Sequence, residues 1–290
     1  MILGSCITTV AAAMVDIAAE ANTVQLAGTP VGVPAGKDKW LFRLPQSNSV
    51  IGYAMVEHMK KQGIKTLGFL GYTDAYGEQW LKEVTPLIDK AGIKMVAVER
   101  FARTDTSVTP QALKLVAANP DAMLVVASGS GAAMPELGLV DRGYKGKIYQ
   151  THAAATMDLM RVGGKAVEGT FVSAGPVIVP DQLPDSHPSK KVAQAFVAQY
   201  DKAYGAGSHN QFSGHAYDAQ IAIEKAIPMA LKKAKPGSAE FRTALRDAFE
   251  TMGRTIFAHG VMNWTRDDHW GYTLETAVVY KVVDGKFKVE

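Results

Sequence analysis

The amino-acid sequence predicts an α/β protein made of two lobes with parallel sheets. From about residue 65 onward, short apolar runs and amphipathic helical segments alternate in units of roughly 30 residues or fewer, as βαβ units do. Most of the runs are continuously apolar, which is typical of a parallel sheet covered by helices on both faces. At 290 residues the chain is long for one modest core, so we expect two lobes.

The first residues resemble the middle of a domain. Residues 1–3 have the pattern of a strand end, Thr8 or Thr9 is a plausible N-cap of the following helix, and 23–27 has the pattern of a second short strand. Because a domain rarely opens on the end of a strand, we expect the start to be truncated and the first lobe to be incomplete.

The alternating segment contains five predicted strands with helices between them. The strands lie at 66–70, 95–98, 123–127, 148–150 and 170–173. The helices lie at 79–90, 111–118, 134–141 and 156–162. This order predicts a sheet with helical crossovers.

Four prolines in 176–188 interrupt this alternation. Behind them the pattern predicts helices at 190–203, 214–233 and 239–252, then strands at 261–264, 276–282 and 287–289 with a hairpin turn at 284–285. The change from alternating elements to helices alone indicates that the chain changes lobe. We therefore expect one lobe to comprise 1–45 and 183–250, and the other to comprise 46–182 and 251–290.

Composition excludes several classes of partner. The net charge is only +3, and the basic residues are scattered with no aromatic-interleaved patch, so we expect no nucleic-acid partner. No apolar run reaches the roughly 18 residues of a membrane span. Cys6 is the single cysteine. The residues before it resemble a lipidation motif, but only five residues precede it, too few for a lipoprotein signal. We therefore interpret Cys6 as a small residue in a turn.

Motifs for chemistry are weak throughout the chain. The Gly-Ser-Gly run at 129–131 opens a helix, but Met134 stands where a dinucleotide fingerprint needs Gly or Ala. There is no Gly-x-Ser-x-Gly elbow, and the Asp-Asp-His run at 267–269 lacks the spacing of a zinc site. We therefore expect no catalytic residues, no cofactor and no metal.

Polar residues instead gather where predicted strands end. They are Thr8, Thr9, Gly28, Thr29, Tyr76, Ser128, Gly129 and His152. Ligands of open parallel sheets bind outside the carboxyl ends of the strands. Hydroxyl groups and free helix N–H groups suit an anionic head group, and a tyrosine ring supplies a flat apolar wall. Each threonine taken singly is better explained as a helix cap, and the group is stronger evidence for a ligand site than any of its members.

Short motifs in a specific order run through almost the whole chain. They are Ile2-Leu3-Gly4-Ser5 before a Thr-rich helix start, Tyr76-Gly77-Glu78, the 105–121 stretch with Pro110 and its Asn119-Pro120-Asp121 end, Ala166-Val167-Glu168-Gly169, Ala216-Tyr217-Asp218-Ala219, and Asp268-His269 followed by Gly271. In this order they resemble the Leu/Ile/Val-binding family of type I periplasmic binding proteins, the receptors of ABC importers for amino acids and related acids.

The resemblance implies two Rossmann-like lobes joined by three crossings, with a small carboxylate held in the cleft by hinge closure. It also implies a periplasmic location, an ABC permease as membrane partner and no enzymatic activity. The same fold serves as the ligand-sensing domain of regulators and receptors, so that alternative stays open. By resemblance, Thr8 and Thr9 hold the carboxylate, Gly28 and Thr29 lie in the second ligand loop, and Tyr76 is the aromatic wall.

Three departures from the family pattern matter. His152 stands where amino-acid binders carry a Glu for the ammonium group, a loss of roughly 1.5–3 kcal/mol of interaction. Ser128 and Gly129 stand where some members have a bulky Tyr, which opens room. Together these changes favour a larger acid, aromatic and without an amine, over an aliphatic amino acid. The family's first two βα units are also absent here, which again predicts a fragment or a misplaced start.

Overall fold

The computed structural model describes all of residues 1–290. A small sheet is formed by β1 (Ile2–Leu3), β2 (Gln25–Ala27) and β3 (Leu41–Arg43), which pair in that order and are parallel. Helix α1 (Thr8–Glu20) connects β1 to β2. This sheet belongs to the first lobe.

A larger sheet of seven strands forms the second lobe. In chain order its strands are β4 (Thr66–Tyr72), β5 (Lys94–Phe101), β6 (Ala122–Val126), β7 (Lys147–Gln150), β8 (Phe171–Ala174), β11 (Val278–Val283) and β12 (Lys286–Val289). Between β8 and β11 in the chain, β9 (Thr255–Phe257) and β10 (Gly260–Met262) form a separate hairpin. The order across the large sheet is β12-β11-β8-β7-β6-β4-β5. The neighbours from β5 to β8 are parallel, and β11 and β12 are added antiparallel.

The remaining helices cover both sheets. They are α2 (Asn48–Lys61), α3 (Ala75–Lys90), α4 (Thr109–Ala117), α5 (Ala133–Val140), α6 (Met157–Gly163), α7 (Lys190–Tyr204), α8 (Gln211–Leu231) and α9 (Ala239–Thr251). The α/β class with mostly parallel sheets predicted from the sequence is confirmed. None of the helices is both long and apolar enough to cross a membrane.

Several boundaries differ from the sequence-based prediction for local reasons. The pattern did not predict β3 or α2, although Ser47 caps α2 by accepting from Val50 N at 3.2 Å. Helix α3 begins four residues earlier than the predicted 79. Asp74 explains this start, because its carboxylate accepts from Tyr76 N at 3.0 Å and from the next backbone N–H at 3.3 Å.

Two apolar clusters of 47 and 18 buried residues mark the lobes. Ala193 and Phe196 of α7 pack in the larger cluster, whereas Phe257 and Trp264 pack in the smaller one with α8 and α9. The sequence-based division differs at both places, because it assigned 183–250 to the first lobe and 251–290 to the second where the pattern of elements changes, whereas the packing of the cores changes elsewhere. We propose a division that follows the cores: 1–45 with 211–272, and 46–204 with 277–290.

The chain passes between the lobes in three places, and a buried polar cluster links the first crossing to the third. Gln46 Nε2 donates to the carbonyl oxygens of His259 at 2.9 Å and Thr276 at 3.2 Å. The carboxylate of Asp218 accepts from Ala258 N at 2.6 Å, from His259 N at 3.2 Å and from His259 Nδ1 at 2.7 Å. We call Gln46, Asp218 and His259 the hinge cluster.

Two glycines make room for the hinge cluster. A Cβ atom on Gly175 would meet the imidazole ring of His259 from one side, and a Cβ on Gly214 would meet it from α8. Both would lie far inside van der Waals distance of the ring. The ring therefore fills a slot between the end of β8 and the start of α8, which holds the two lobes at one relative position.

A hydrogen bond also spans the cleft away from the hinge. Gly32 of the first lobe donates its N–H to Gln79 Oε1 on α3 of the second lobe, at 3.1 Å. The Gln79 amide in turn donates to Glu83 Oε1 at 2.7 Å. This contact joins the lobes directly.

We predict that Asp218→Ala strongly destabilises the protein. The side chain is fully buried, so its removal leaves three buried donors without an acceptor, a cost of about 3–5 kcal/mol. Urea unfolding measures the change. Asp16→Ala is the matched control, because Asp16 forms an exposed pair with Lys37 and its loss costs about 0.5 kcal/mol or less. Similar unfolding midpoints for the two variants would contradict a central role for Asp218.

Candidate functional site

A cavity of about 50 Å³ lies between the lobes at the carboxyl ends of the parallel strands. Six of the eight residues predicted from the sequence line it: Thr8, Gly28, Thr29, Tyr76, Ser128 and His152. They follow β1, β2, β4, β6 and β7. These residues therefore lie beyond the strand ends, where ligands of open parallel sheets bind.

The first-lobe side of the cavity presents hydroxyl groups and the uncapped N-terminus of α1. Thr8 and Thr29 are buried, and their Oγ1 atoms lie 2.7 Å apart. The sequence suggested Thr8 or Thr9 as the N-cap of α1, but Ile7 occupies that position and provides no side-chain cap. The first-turn N–H groups of α1 thus have no intrahelical acceptor and favour a bound anion.

Two predicted residues do not line the cavity. Thr9 is exposed, because consecutive helical residues point about 100° apart and Thr8 takes the side that faces the cleft. Gly129 adopts a φ of 54° where the chain turns after Ser128 into a short 3-10 helix. Gly129 contributes to the turn that positions Ser128, and it is not among the residues that line the cavity.

Arg103 is a lining residue that the sequence reasoning missed. Its Nε donates to Asp74 Oδ2 at 2.6 Å and its Nη1 donates to Ser128 Oγ at 2.9 Å. The guanidinium lies 4.0 Å from the ring centroid of Tyr72. Arg103 comes directly after β5, so the strand-end rule applied to every strand would have found it. The cavity thus contains one oriented cation.

The ring of Tyr76 forms a wall with its hydroxyl already engaged. Its hydroxyl oxygen lies 2.8 Å from Thr151 Oγ1, and the side chain is buried. Burial holds the pKa of Tyr76 well above its usual value. Tyr76 therefore offers an uncharged aromatic surface to the cavity, while its hydroxyl group bonds to Thr151 within the protein.

His152 is almost fully buried between aromatic side chains. Its ring centroid lies 5.9 Å from Trp80 and 6.5 Å from Tyr76, and its Nδ1 has no hydrogen-bond partner. Burial, with a smaller contribution from the charge of His259, lowers the pKa of His152 to about 3. The imidazole is therefore neutral over the physiological range.

The start of α8 supplies two further lining residues, Phe212 and His215. His215 is buried and stacks on His259, with 4.2 Å between ring centroids. Burial lowers the pKa of His215 well below its usual value, and the neighbouring His259 and His152 lower it further. No strand precedes these residues, so the strand-end rule could not find them. Cys6, Ile7, Pro30 and Ala153 complete the lining.

The charges of the site are one-sided. No Asp or Glu is among the lining residues, and the chain brings no three His, Cys, Asp or Glu side chains together to hold a metal ion. Arg103 is cationic, and His152 and His215 are neutral. The arrangement can bind a small anion with an apolar body.

The two lobes, the three crossings and the cleft define the class of two-lobed solute-binding proteins. The chain belongs to the periplasmic binding protein family, whose model matches residues 1–286. Members of this family bind ligands and are not enzymes, in line with the expectation from the sequence.

Solved structures agree with this assignment. An extracellular ligand-binding receptor from Rhodopseudomonas palustris is 44% identical, with a TM-score of 0.97, and the match covers 99% of this chain and 80% of that one. A leucine binding protein from Thermotoga maritima (21% identity, TM-score 0.83, 99% and 78% covered) shares the fold. An R. palustris ABC transporter solute binding protein in complex with benzoate (19% identity, TM-score 0.79, 99% and 75% covered) shares it too. A search of curated proteins gives no match.

We predict that His152 does not titrate between pH 5 and pH 8. Its pKa of about 3 lies below the 6.5 of a free histidine, so the unfolded chain takes up the proton first. Stability is lost as pH falls below about 6.5, by up to about 1.4 kcal/mol per pH unit from this residue. The Cε1–H resonance, followed by NMR and assigned with His152→Gln, measures the pKa. A midpoint between pH 5 and pH 7 would show that the ring is not desolvated.

Proposed function

We propose that this protein is the solute-binding component of an ABC importer, which captures a small carboxylate without an α-amine in the periplasm and delivers it to a membrane permease. The observation that carries the proposal is the one-sided charge of the cavity: anion-favouring groups from both lobes converge there and no carboxylate lines it. Family membership supports the binding role, and the ABC transporter protein of the same fold supports the importer role.

A carboxylate finds several partners in this cavity. The hydroxyl groups of Thr8 and Thr29 and the open N-terminus of α1 supply donors on the first lobe. Arg103 supplies a positive charge from the second lobe. Hydrogen bonds to a charged group contribute about 1.5–3 kcal/mol each, so a carboxylate stabilises the closed arrangement by binding both lobes.

An α-ammonium group has no anionic partner in the cavity. His152 is neutral and cannot supply a negative charge. Asp74 is engaged by the start of α3 and by Arg103, and Asp218 is engaged in the hinge cluster. An unpaired buried cation costs several kcal/mol. The site therefore favours an acid that lacks an amine.

Rings on several sides of the cavity favour a flat apolar body. Tyr76, His152, Phe212 and His215 all contribute rings to the lining. Ser128 leaves space where a bulkier side chain would reduce it. The benzoate complex of the R. palustris solute binding protein concerns a protein of the same fold, and it supports an aromatic acid as a ligand that the fold can enclose.

We predict that Thr8→Val weakens the binding of a carboxylate such as benzoate by roughly 1–2 kcal/mol, since it removes a hydrogen bond to a charged group. Isothermal titration calorimetry measures the affinity. Thr9→Val is the matched control, because the same change one residue later affects an exposed side chain outside the cavity. Equal affinity of the two variants would leave Thr8 with a purely structural role.

The lining without a carboxylate predicts selectivity between acids that lack an amine and amino acids. Benzoate- or cinnamate-like acids raise the melting temperature of the protein, and leucine and valine raise it less or not at all, because their ammonium group stays unpaired. A thermal-shift screen with matched concentrations measures this difference. Clear stabilisation by leucine with none from the amine-free acids would overturn the proposed ligand class. A response to both would identify His152 as an acceptor for the ammonium group.

A further inference from the structure

We propose that His215 is a ligand-binding residue whose Nδ1–H recognises an oxygen atom of the bound acid remote from its carboxylate. The inference rests on the proposed function and extends it, because it makes the ligand a carboxylic acid with a second polar group.

The orientation of the Gln211 side chain is fixed by the backbone. Gly175 N–H lies 3.2 Å from Gln211 Oε1. Because a backbone N–H can only donate, the amide atom that faces Gly175 is the carbonyl oxygen. The amide nitrogen of Gln211 therefore faces the other way, where it lies 3.2 Å from His215 Nε2.

The orientation of Gln211 determines the tautomer of His215. An amide NH₂ group is a donor, so His215 Nε2 accepts the hydrogen bond and carries no proton. The ring is neutral, because burial lowers its pKa well below the usual value. The single ring proton is then on Nδ1, which makes Nδ1 a hydrogen-bond donor.

No protein atom accepts from this donor. His215 Nδ1 is buried without a partner. The nearby His259 ring is no substitute: its Nδ1 is engaged by Asp218. The two rings are tilted by 37° with 4.2 Å between centroids, and His215 Nδ1 forms no hydrogen bond to the neighbouring ring. Buried donors are rarely left unpaired, and the His215 ring lines the cavity, so the acceptor comes from the ligand.

His152 adds a second polar atom from the opposite lobe. Its Nδ1 is also buried and unpartnered, and its ring lines the same cavity. A ligand hydroxyl group can accept from His215 and donate to His152 at once, whereas a carbonyl oxygen can only accept. Because His215 is on α8 of the first lobe and His152 follows β7 of the second, such a hydroxyl group links both lobes.

The test compares acids of equal shape. Affinities of the wild-type protein for para- and meta-hydroxybenzoate are measured by calorimetry against para- and meta-methylbenzoate, in which a methyl group replaces the hydroxyl. We expect at least one hydroxy acid to bind about tenfold more tightly than its methyl partner. His215→Phe keeps the ring shape and removes both nitrogens, and it reduces the preference to about twofold or less. His187→Gln, a change outside the cavity, leaves the preference unchanged.

A second measurement does not depend on a folded variant. Two-dimensional ¹⁵N–¹H NMR of the histidine rings in the wild-type protein reports the tautomer of each imidazole, and we expect Nδ1–H for His215. An Nε2–H tautomer, or hydroxy and methyl acids that bind equally, would overturn this inference while the proposed function stands. A preference that survives in His215→Phe would overturn it as well. No binding of any tested acid, amine-free acids included, would overturn the proposed function and this inference with it.

Discussion

The packing beside the chain crossings depends on one buried carboxyl group, that of Asp218. Asp218 accepts hydrogen bonds from two consecutive backbone N–H groups and from the ring of His259. It thereby fixes the turn between β9 and β10 against α8. Gln46, at the first crossing, donates to the carbonyl oxygen of His259 and to that of Thr276, which lies at the third crossing. A buried carboxyl group is stable only with such a complete set of hydrogen-bond partners, so the hinge cluster forms as a unit.

The hinge cluster also reaches into the ligand cavity. His259 is stacked on His215, which lines the cavity, and Gln211 bonds both to His215 and to the backbone at Gly175. The start of α8 is therefore shared between the hinge and the cleft. Elsewhere around the cavity, Thr8 and Thr29 follow strands of the small sheet, and Tyr76 and His152 follow strands of the large one. The position of the hinge determines how closely these two groups of residues approach.

Sequence reasoning found most of the site because one geometric rule governs it. Parallel strands end at the same edge of a sheet, so Thr8 could be predicted to lie near Thr29, and Ser128 near His152, without knowledge of the structure. That the edges of the two sheets face each other followed only from the resemblance to a two-lobed family. The repeat of strands and helices from residue 66 to residue 174 was also readable, since its apolar runs are continuous.

What the sequence did not predict depends on contacts between distant segments. His215 lies on a helix whose start is aligned by Gly175, 40 residues earlier in the chain, and no local pattern records that pairing. Helix α7 follows a proline-rich stretch that reads as a change of lobe, yet Ala193 and Phe196 pack back on the larger core. Which of Thr8 and Thr9 faces the cleft depends on where α1 begins, and element boundaries are the least certain part of a sequence-based prediction.

Under the proposed function, the hydrogen bond between Gly32 and Gln79 has a thermodynamic consequence for closure of the two lobes on a ligand. It contributes free energy to the closed arrangement whether or not a ligand is present. A ligand shifts the balance between open and closed forms only through its differential affinity for them. Contacts of this kind therefore raise the resting population of closed, empty protein. They tighten apparent binding and lengthen the residence time of the ligand, and they narrow the structural difference between loaded and empty protein that the proposed permease would detect.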